Sequence, residues 1–270
     1  MTKEEIMEAI KRHHKIVEDA GYHVVMTSLV GSQNYGLDND ESDIDTFSFI
    51  LPSFEELARG EPLKAGIIFA DNGHCDFKDI RTAFDLLRKT SPNSVEYFIS
   101  KYKYYNPIYM PILKKYLKDG CDSKLWYMIH CNHQHMYNAI IGMAIQLTKR
   151  NMPAGKRFSH ALRLEDMADH FRIGSTAGII LDMTTARKEL ALRAKRDPNP
   201  GIYDELCIEV AEGLKEYFSD VKVEWQKEIE EAGLTYIKEF EEAIFRKYLT
   251  VLMEEHKCLT VLENGRKTWN

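Results

Sequence analysis

Two aspartates one residue apart, Asp43 and Asp45, stand where a glycine-bounded turn runs into a β-rich segment, GSQNYGLDNDESDIDTFSF, Gly31 to Phe49. Side chains two apart on a strand point the same way, with Cα atoms roughly 6.5 Å apart. Both carboxylates therefore project from one face and can share cations. Hard oxygen ligands of this kind suit Mg²⁺, which binds one or two carboxylates plus substrate phosphates rather than a complete protein cage. The Gly31-Ser32 turn offers backbone N–H groups and a small hydroxyl, which suit a phosphate held close to the main chain. Together these parts make a site for metal-bound polyphosphate. A DxD pair alone more often marks a solvated turn. The sharper signal is the whole order: strand, Gly-Ser, about ten residues, then Ser-Asp-Ile-Asp entering a second strand.

The elements that must position these residues are legible around them. Residues 4–19 read as an amphipathic helix ended by Gly21, and HVVMTSLV, 23–30, as a buried strand. Ile44 to Leu51 alternates as a second strand, and Ser53 with Glu56 forms a capping-box pattern for a short helix. AGIIFADNGHCDFKD, 65–79, reads as a hairpin turning at Asp71-Asn72-Gly73. From residue 80 the pattern is helical: 80–90, 92–100, 107–119, 122–149, 156–172, 180–195 and a long pair over 203–256. The composition shifts once, near residue 105, from α/β to all-α.

A third carboxylate could come from Asp71, Asp76 or Asp79. Asp71 is explained by the turn, and Asp79 by an N-cap where strand gives way to helix. Asp76 lies between Cys75 and Phe77 inside the return strand, where a buried charge is costly without a cation. The reading favours Asp76, with Asp79 as the alternative.

The motif resembles the polymerase-beta-type nucleotidyltransferase superfamily, marked by a hydrophobic strand, Gly-Ser, then Asp-x-Asp. More narrowly, GSQNYGLDNDESDID is similar to the GSxxYGxxxxxSDxD form of the predicted nucleotidyltransferases associated with RNA ligases (the RlaP type). DFKDIRTAFDLLRKTSPNSVEYFIS resembles that family's strand Asp and Asn-Pro-x-x-x-Glu segment, with Ser91 where the pattern has Asn. GKRFSHALR, 155–163, is similar to its Lys…His-x-x-Arg helix. The resemblance spans roughly residues 24–165.

It implies an α+β protein. A small mixed β-sheet with flanking helices, a nucleotidyltransferase palm over residues 1–105, would precede an all-helical domain over 106–270. It also implies transfer of a nucleoside monophosphate from an NTP to an acceptor hydroxyl with release of pyrophosphate. Asp43, Asp45 and Asp76 would hold two Mg²⁺ or Mn²⁺ ions, while Gly31, Ser32 and Tyr35 would hold the nucleotide. Lys156, His160 and Arg163, at i, i+4 and i+7 on one helix face, either meet the triphosphate or an RNA backbone, or form a solvated basic face. The implied acceptor is RNA. A protein or small-molecule hydroxyl is the alternative, and a non-catalytic nucleotide-binding module a third reading.

Composition bounds these readings. The 270 residues carry a net charge of −6 and 44% apolar residues, so any anionic substrate must be met by local cations rather than by a basic surface overall. The five cysteines are odd in number and lack a CxxC spacing, which reads as reduced thiols in a cytoplasmic protein. The opening MTKEEIMEAIKRHHK reads as a charged helix rather than a secretory signal, and no long apolar run suggests a membrane partner. His130, Cys131, His133 and His135 read as structural or surface residues, since no second half-site matches them. Tyr102, Tyr104 and Tyr105 with Lys101 and Lys103 read as an interdomain packing seam, with a base-stacking platform as the alternative.

Overall fold

The computed structural model describes residues 1–39, 42–70, 72–108, 133–172, 180–197 and 201–231, together with 250, 253 and 254. Asp71, the 107–119 helix, and His130 and Cys131 lie wholly or mostly outside these residues. The chain is α+β, with a five-stranded mixed sheet near the N-terminus and helices after it.

Helix α1 is Lys3–Asp19, opened by a Thr2–Glu5 capping box. Strands β1 (His23–Val30), β2 (Asp45–Leu51), β3 (Ala65–Ala70), β4 (Gly73–Asp79) and β5 (Lys103–Tyr105) form the sheet in the order β3-β4-β2-β1-β5. Only the β2–β4 pair is parallel. Between β2 and β3 lies α2 (Phe54–Ala58), whose Ser53–Glu56 capping box forms as the pattern predicts. Helices α3 (Ala83–Lys89) and α4 (Pro92–Ile99) follow β4. Ser91 caps α4 by accepting from Ser94 N.

Strand β5 corrects the expectation that only helices follow residue 80; it lies between the helices expected at 92–100 and 107–119. Its three residues pair with Met26, Thr27 and Ser28 of β1, a non-local contact that a three-residue window cannot announce. The tyrosine seam is also corrected. Tyr102 and Tyr104 pack with Ile6, Ile10 and Leu29 inside the sheet region, and Tyr104 meets the His14 ring edge-on at 4.8 Å.

The helical part comprises α5 (His133–Lys149), α6 (Ala154–Arg172), α7 (Thr185–Arg196) and α8 (Gly201–Glu231). Helix α7 starts five residues later than its sequence pattern suggests because Thr184 is anchored first. Its N–H and its hydroxyl both donate to buried Asp166, at 2.8 Å each. The core of these helices is continuous with Tyr35, Leu37, Val95 and Ile99, so the two parts share one apolar interior. Among the described residues, no helix is long and apolar enough to cross a membrane. Cys75 and Cys207 are free, buried thiols.

One sheet face lies under α1, where polar groups are buried as pairs. His13 Nδ1 is 2.9 Å from Thr46 Oγ1, and His14 Nδ1 is 2.9 Å from Thr27 Oγ1, which reaches Ser48 Oγ at 2.7 Å. Burial pushes the His14 imidazole down from 6.5 to about 4. A lowered folded pKa means that the unfolded chain binds the proton first. Stability is therefore complete above pH 6.5 and falls as pH drops toward 4, by roughly 3 kcal/mol from His14 alone. Thermal melts at steps between pH 7 and 4 should show this loss, and His14→Phe should flatten it. A melting temperature independent of pH over that window would exclude a buried neutral His14.

Candidate active site

The opposite sheet face carries the acidic residues. In the parallel register Phe47 lies beside Asp76, so Asp45, Phe47, His74 and Asp76 all point to one side. Phe47 stacks on Tyr97 of α4 with ring centroids 3.7 Å apart, which closes the middle of this face and leaves its acidic end open. Gly73 makes the junction possible: at φ 125° its absent Cβ would fall 2.1 Å from the Ile44 carbonyl oxygen. The Ile44 N–H donates to Asn72 O at 3.0 Å, which seats the Asp43–Asp45 segment against the start of β4.

His74 thereby comes between two of the candidate ligands. Its Nδ1 lies 2.7 Å from Asp45 Oδ1 and its Nε2 lies 3.7 Å from Asp76 Oδ1. Neither contact has hydrogen-bond geometry, and both carboxylate oxygens are buried without a hydrogen bond. Burial raises the Asp45 carboxyl above its ordinary pKa. The His74 charge opposes that rise, and the charges of Asp43 and Asp76 add to it. Asp43 is exposed just ahead of β2. Asp79 has a different occupation. It is 1% exposed, caps the turn after β4 through Arg81 N at 2.9 Å, and grips Arg81 Nε and Nη2 at 2.9 and 2.6 Å.

The Gly31-Ser32 turn opens a 3-10 helix, Ser32–Tyr35, with Gly31 at φ 85° and its α-carbon side against Asp45 Oδ2. The Gly31 N–H does not face outward as the turn alone suggests. It donates to Glu96 Oε1 at 2.7 Å, and Asn34 Nδ2 donates to the same oxygen at 2.9 Å. The ladder begins with Asn34 N–H donating to Gly31 O, which leaves the Ser32 and Gln33 amides ahead of it for a ligand. Glu96 is 3% exposed. Burial raises its pKa, while the Arg163 charge and these hydrogen bonds oppose the rise.

Tyr35 is buried rather than presented to solvent. Burial, and then the Glu96 charge, hold its hydroxyl well above the usual range. Its ring carries the Arg163 guanidinium at 4.4 Å. Arg163 is 6% exposed, and its Nε is buried without a hydrogen bond.

A cavity of about 240 Å³ joins the two parts, lined by Gly31, Asp76, Glu96, Tyr97, Arg150, His160 and Arg163 among others. His160 and Arg163 thus reach the same space as Asp76. Lys156 does not line it, although its charge is felt there. Burial first, then Arg163, Lys195, Lys156 and Arg150, push the His160 imidazole down to about 3, so it is neutral near pH 7. Lys195 donates to Leu37 O at 2.6 Å, which ties α7 to the loop after Tyr35.

His74, Arg150 and Lys195 are site residues that sequence reasoning did not select. Only His74 had a signal, its period-two spacing from Asp76. Arg150 and Lys195 arrive through helix packing.

Among the described residues, no three His, Cys, Asp or Glu side chains are arranged to hold a metal ion by themselves. Asp45 Oδ1 and Asp76 Oδ1, buried without a hydrogen bond and with His74 between them, are the oxygens here that could ligate a dication. No family model matches this chain, and no curated protein matches it. The fold and site define an α+β protein with an acidic sheet face opposite a cationic helical wall.

Proposed function

We propose that the protein is a metal-dependent nucleotidyltransferase that moves a nucleoside monophosphate from an NTP to an acceptor hydroxyl, with RNA as the acceptor. The observation that carries this reading is the single cavity with Asp76 on its sheet wall and Arg150, His160 and Arg163 on its helical wall. An enzyme of this kind needs a place for cations and a place for polyphosphate, facing each other.

Asp43, Asp45 and Asp76 would hold the dications. When bound, these ions neutralise charge on the phosphates and ease deprotonation of the attacking hydroxyl. The remaining work falls to the chain itself. Arg163, held on the Tyr35 ring and beside Glu96, directs its charge to the triphosphate, with Arg150 beyond it. Neutral His160 adds a hydrogen-bonding group without a further charge. The Ser32 hydroxyl and amide, with the Gln33 amide, meet the terminal phosphates. The acceptor hydroxyl gives up its proton to solvent and its oxygen bonds to the α-phosphorus as the bridging P–O bond to the β-phosphate breaks, so pyrophosphate carries away the electron pair. Positioning and electrostatics supply most of the acceleration.

Four radiolabelled NTPs, offered with Mg²⁺ or Mn²⁺ to the protein and a pool of small RNAs, test this directly. Label on RNA supports the proposal, label on protein changes the acceptor, and no label with retained nucleotide binding leaves only a binding module. In the same assay series Ser32→Ala should weaken NTP affinity about 5- to 10-fold, the scale of one partly charge-assisted hydrogen bond, about 1 kcal/mol or slightly more. An unchanged nucleotide titration would remove Ser32 from the phosphate site.

A further inference from the structure

The edge strand β3 reads AGIIFA, and its alternation divides it sharply. Ile68 turns inward and packs with Cys75 and Phe77, while Ile67 is 56% and Phe69 80% exposed. These two large apolar side chains do not lie on a remote surface. In the antiparallel register Ile67 sits opposite Asp76 and Phe69 opposite His74, so both share the face of the acidic residues. The Phe69 and His74 ring centroids are 6.4 Å apart. Lys78, two residues beyond Asp76 on β4, continues the same row, and among the described residues its ammonium meets no hydrogen-bond or ion-pair partner. Along this strip the chain places an aromatic ring, a carboxylate and a lysine in sequence.

We infer that Phe69 and Ile67 form the platform on which the acceptor's terminal base stacks, and that the acceptor is an unpaired RNA end. The inference rests on the transferase reading and adds the acceptor side to it, on the sheet wall away from the cationic helical wall. A nucleobase offers a flat apolar face to Phe69, a ribose hydroxyl directed to Asp76, and a phosphate for Lys78. Stacking on an exposed aromatic ring is tolerant of base identity and needs only a single strand. An aminoglycoside has no flat ring for Phe69 and brings positive charge to Lys78. The combination of apolar ring and free ammonium therefore favours the anionic, ring-bearing acceptor.

The test measures binding of a short fluorescein-labelled single-stranded oligoribonucleotide to the full chain by anisotropy, beside NTP binding followed by thermal shift with Mg²⁺. Phe69→Ala should weaken the oligoribonucleotide about 5- to 150-fold, the range for one stacked base, and leave NTP binding unchanged. Phe69→Tyr should restore it. Because Phe69 is mostly exposed, an unaltered melting temperature is expected for both variants and is checked alongside. Unchanged RNA affinity in Phe69→Ala would overturn the platform. So would an equal loss of NTP binding, or a change of oligomeric state with no effect on RNA, which would make the strip a self-association surface. A wild-type chain that binds NTP but no RNA overturns the platform and the RNA acceptor, and leaves nucleotidyl transfer to another hydroxyl standing. One that binds no NTP with either Mg²⁺ or Mn²⁺ overturns the transferase reading beneath it.

Discussion

Asp45→Asn and Asp76→Asn are each expected to lower nucleotidyl transfer on the order of a thousandfold while the chain remains folded. Losing a carboxylate that holds a dication removes several kcal/mol of transition-state stabilisation, and about 4 kcal/mol corresponds to three powers of ten. Folding should not suffer at Asp45. Burial and the charges of Asp43 and Asp76 raise its carboxyl pKa, so ionising it at neutral pH costs the fold some stability. An amide of nearly the same size removes that cost, and the melting temperature at pH 7 should hold or rise. The second readout is metal itself: a melting shift on adding Mn²⁺ to the wild type should shrink in Asp45→Asn. On the proposed mechanism Asp76 would hold the ion that eases deprotonation of the acceptor hydroxyl, so Asp76→Asn should spare much of the NTP affinity. Asp79→Asn provides the contrast. It breaks a buried fork to Arg81, so its loss should appear in stability before it appears in turnover. Near-normal turnover in either Asp45→Asn or Asp76→Asn would refute the metal-site reading.

Glu96→Leu should destabilise the chain by about 2–4 kcal/mol, the scale of leaving its buried hydrogen-bond donors without their acceptor. The carboxylate accepts from Gly31 N–H and Asn34 Nδ2, and its charge faces Arg163. Leucine fills the volume but leaves the Gly31 amide without its acceptor and removes a carboxyl whose electrostatics are coupled to the buried Arg163. A loss of this size is a large share of the 5–15 kcal/mol typical of a folded domain. Glu96→Gln keeps an acceptor oxygen and should cost less, roughly 1–2 kcal/mol. Urea titrations of the three proteins measure the difference. Equal midpoints for wild type and Glu96→Leu would show that Glu96 is not the anchor of the Gly31 turn. Since that turn carries Ser32, a surviving Glu96→Leu chain should also bind NTP more weakly.

The local chemistry of the site was written in short stretches of sequence. Asp43, Asp45 and Gly31-Ser32 stand close along the chain, and the capping boxes, the hairpin and the long helices follow from patterns within a few residues. The sequence left Asp76 and Asp79 as candidates; in the structure Asp76 points to the open face while Asp79 caps a turn. What local pattern could not supply was pairing across distance. Strand β5 exists because β1 offers an unsatisfied edge, and a three-residue strand has no periodicity of its own. The Gly31 amide looked available until Glu96, 65 residues later, was found to accept from it. Tyr35 carries a motif position, but only the packing of α6 onto the loop turns it into a seat for Arg163. His74 was legible as a strand residue, yet its place between Asp45 and Asp76 depends on the parallel register of β2 with β4. Likewise, the hairpin containing Phe69 was legible, but its 80% exposure follows from the place of β3 at the edge of the sheet. Residue type and short spacing set which groups can do chemistry. Which of them meet, and which of their atoms are already engaged, was decided by contacts between residues far apart in the chain.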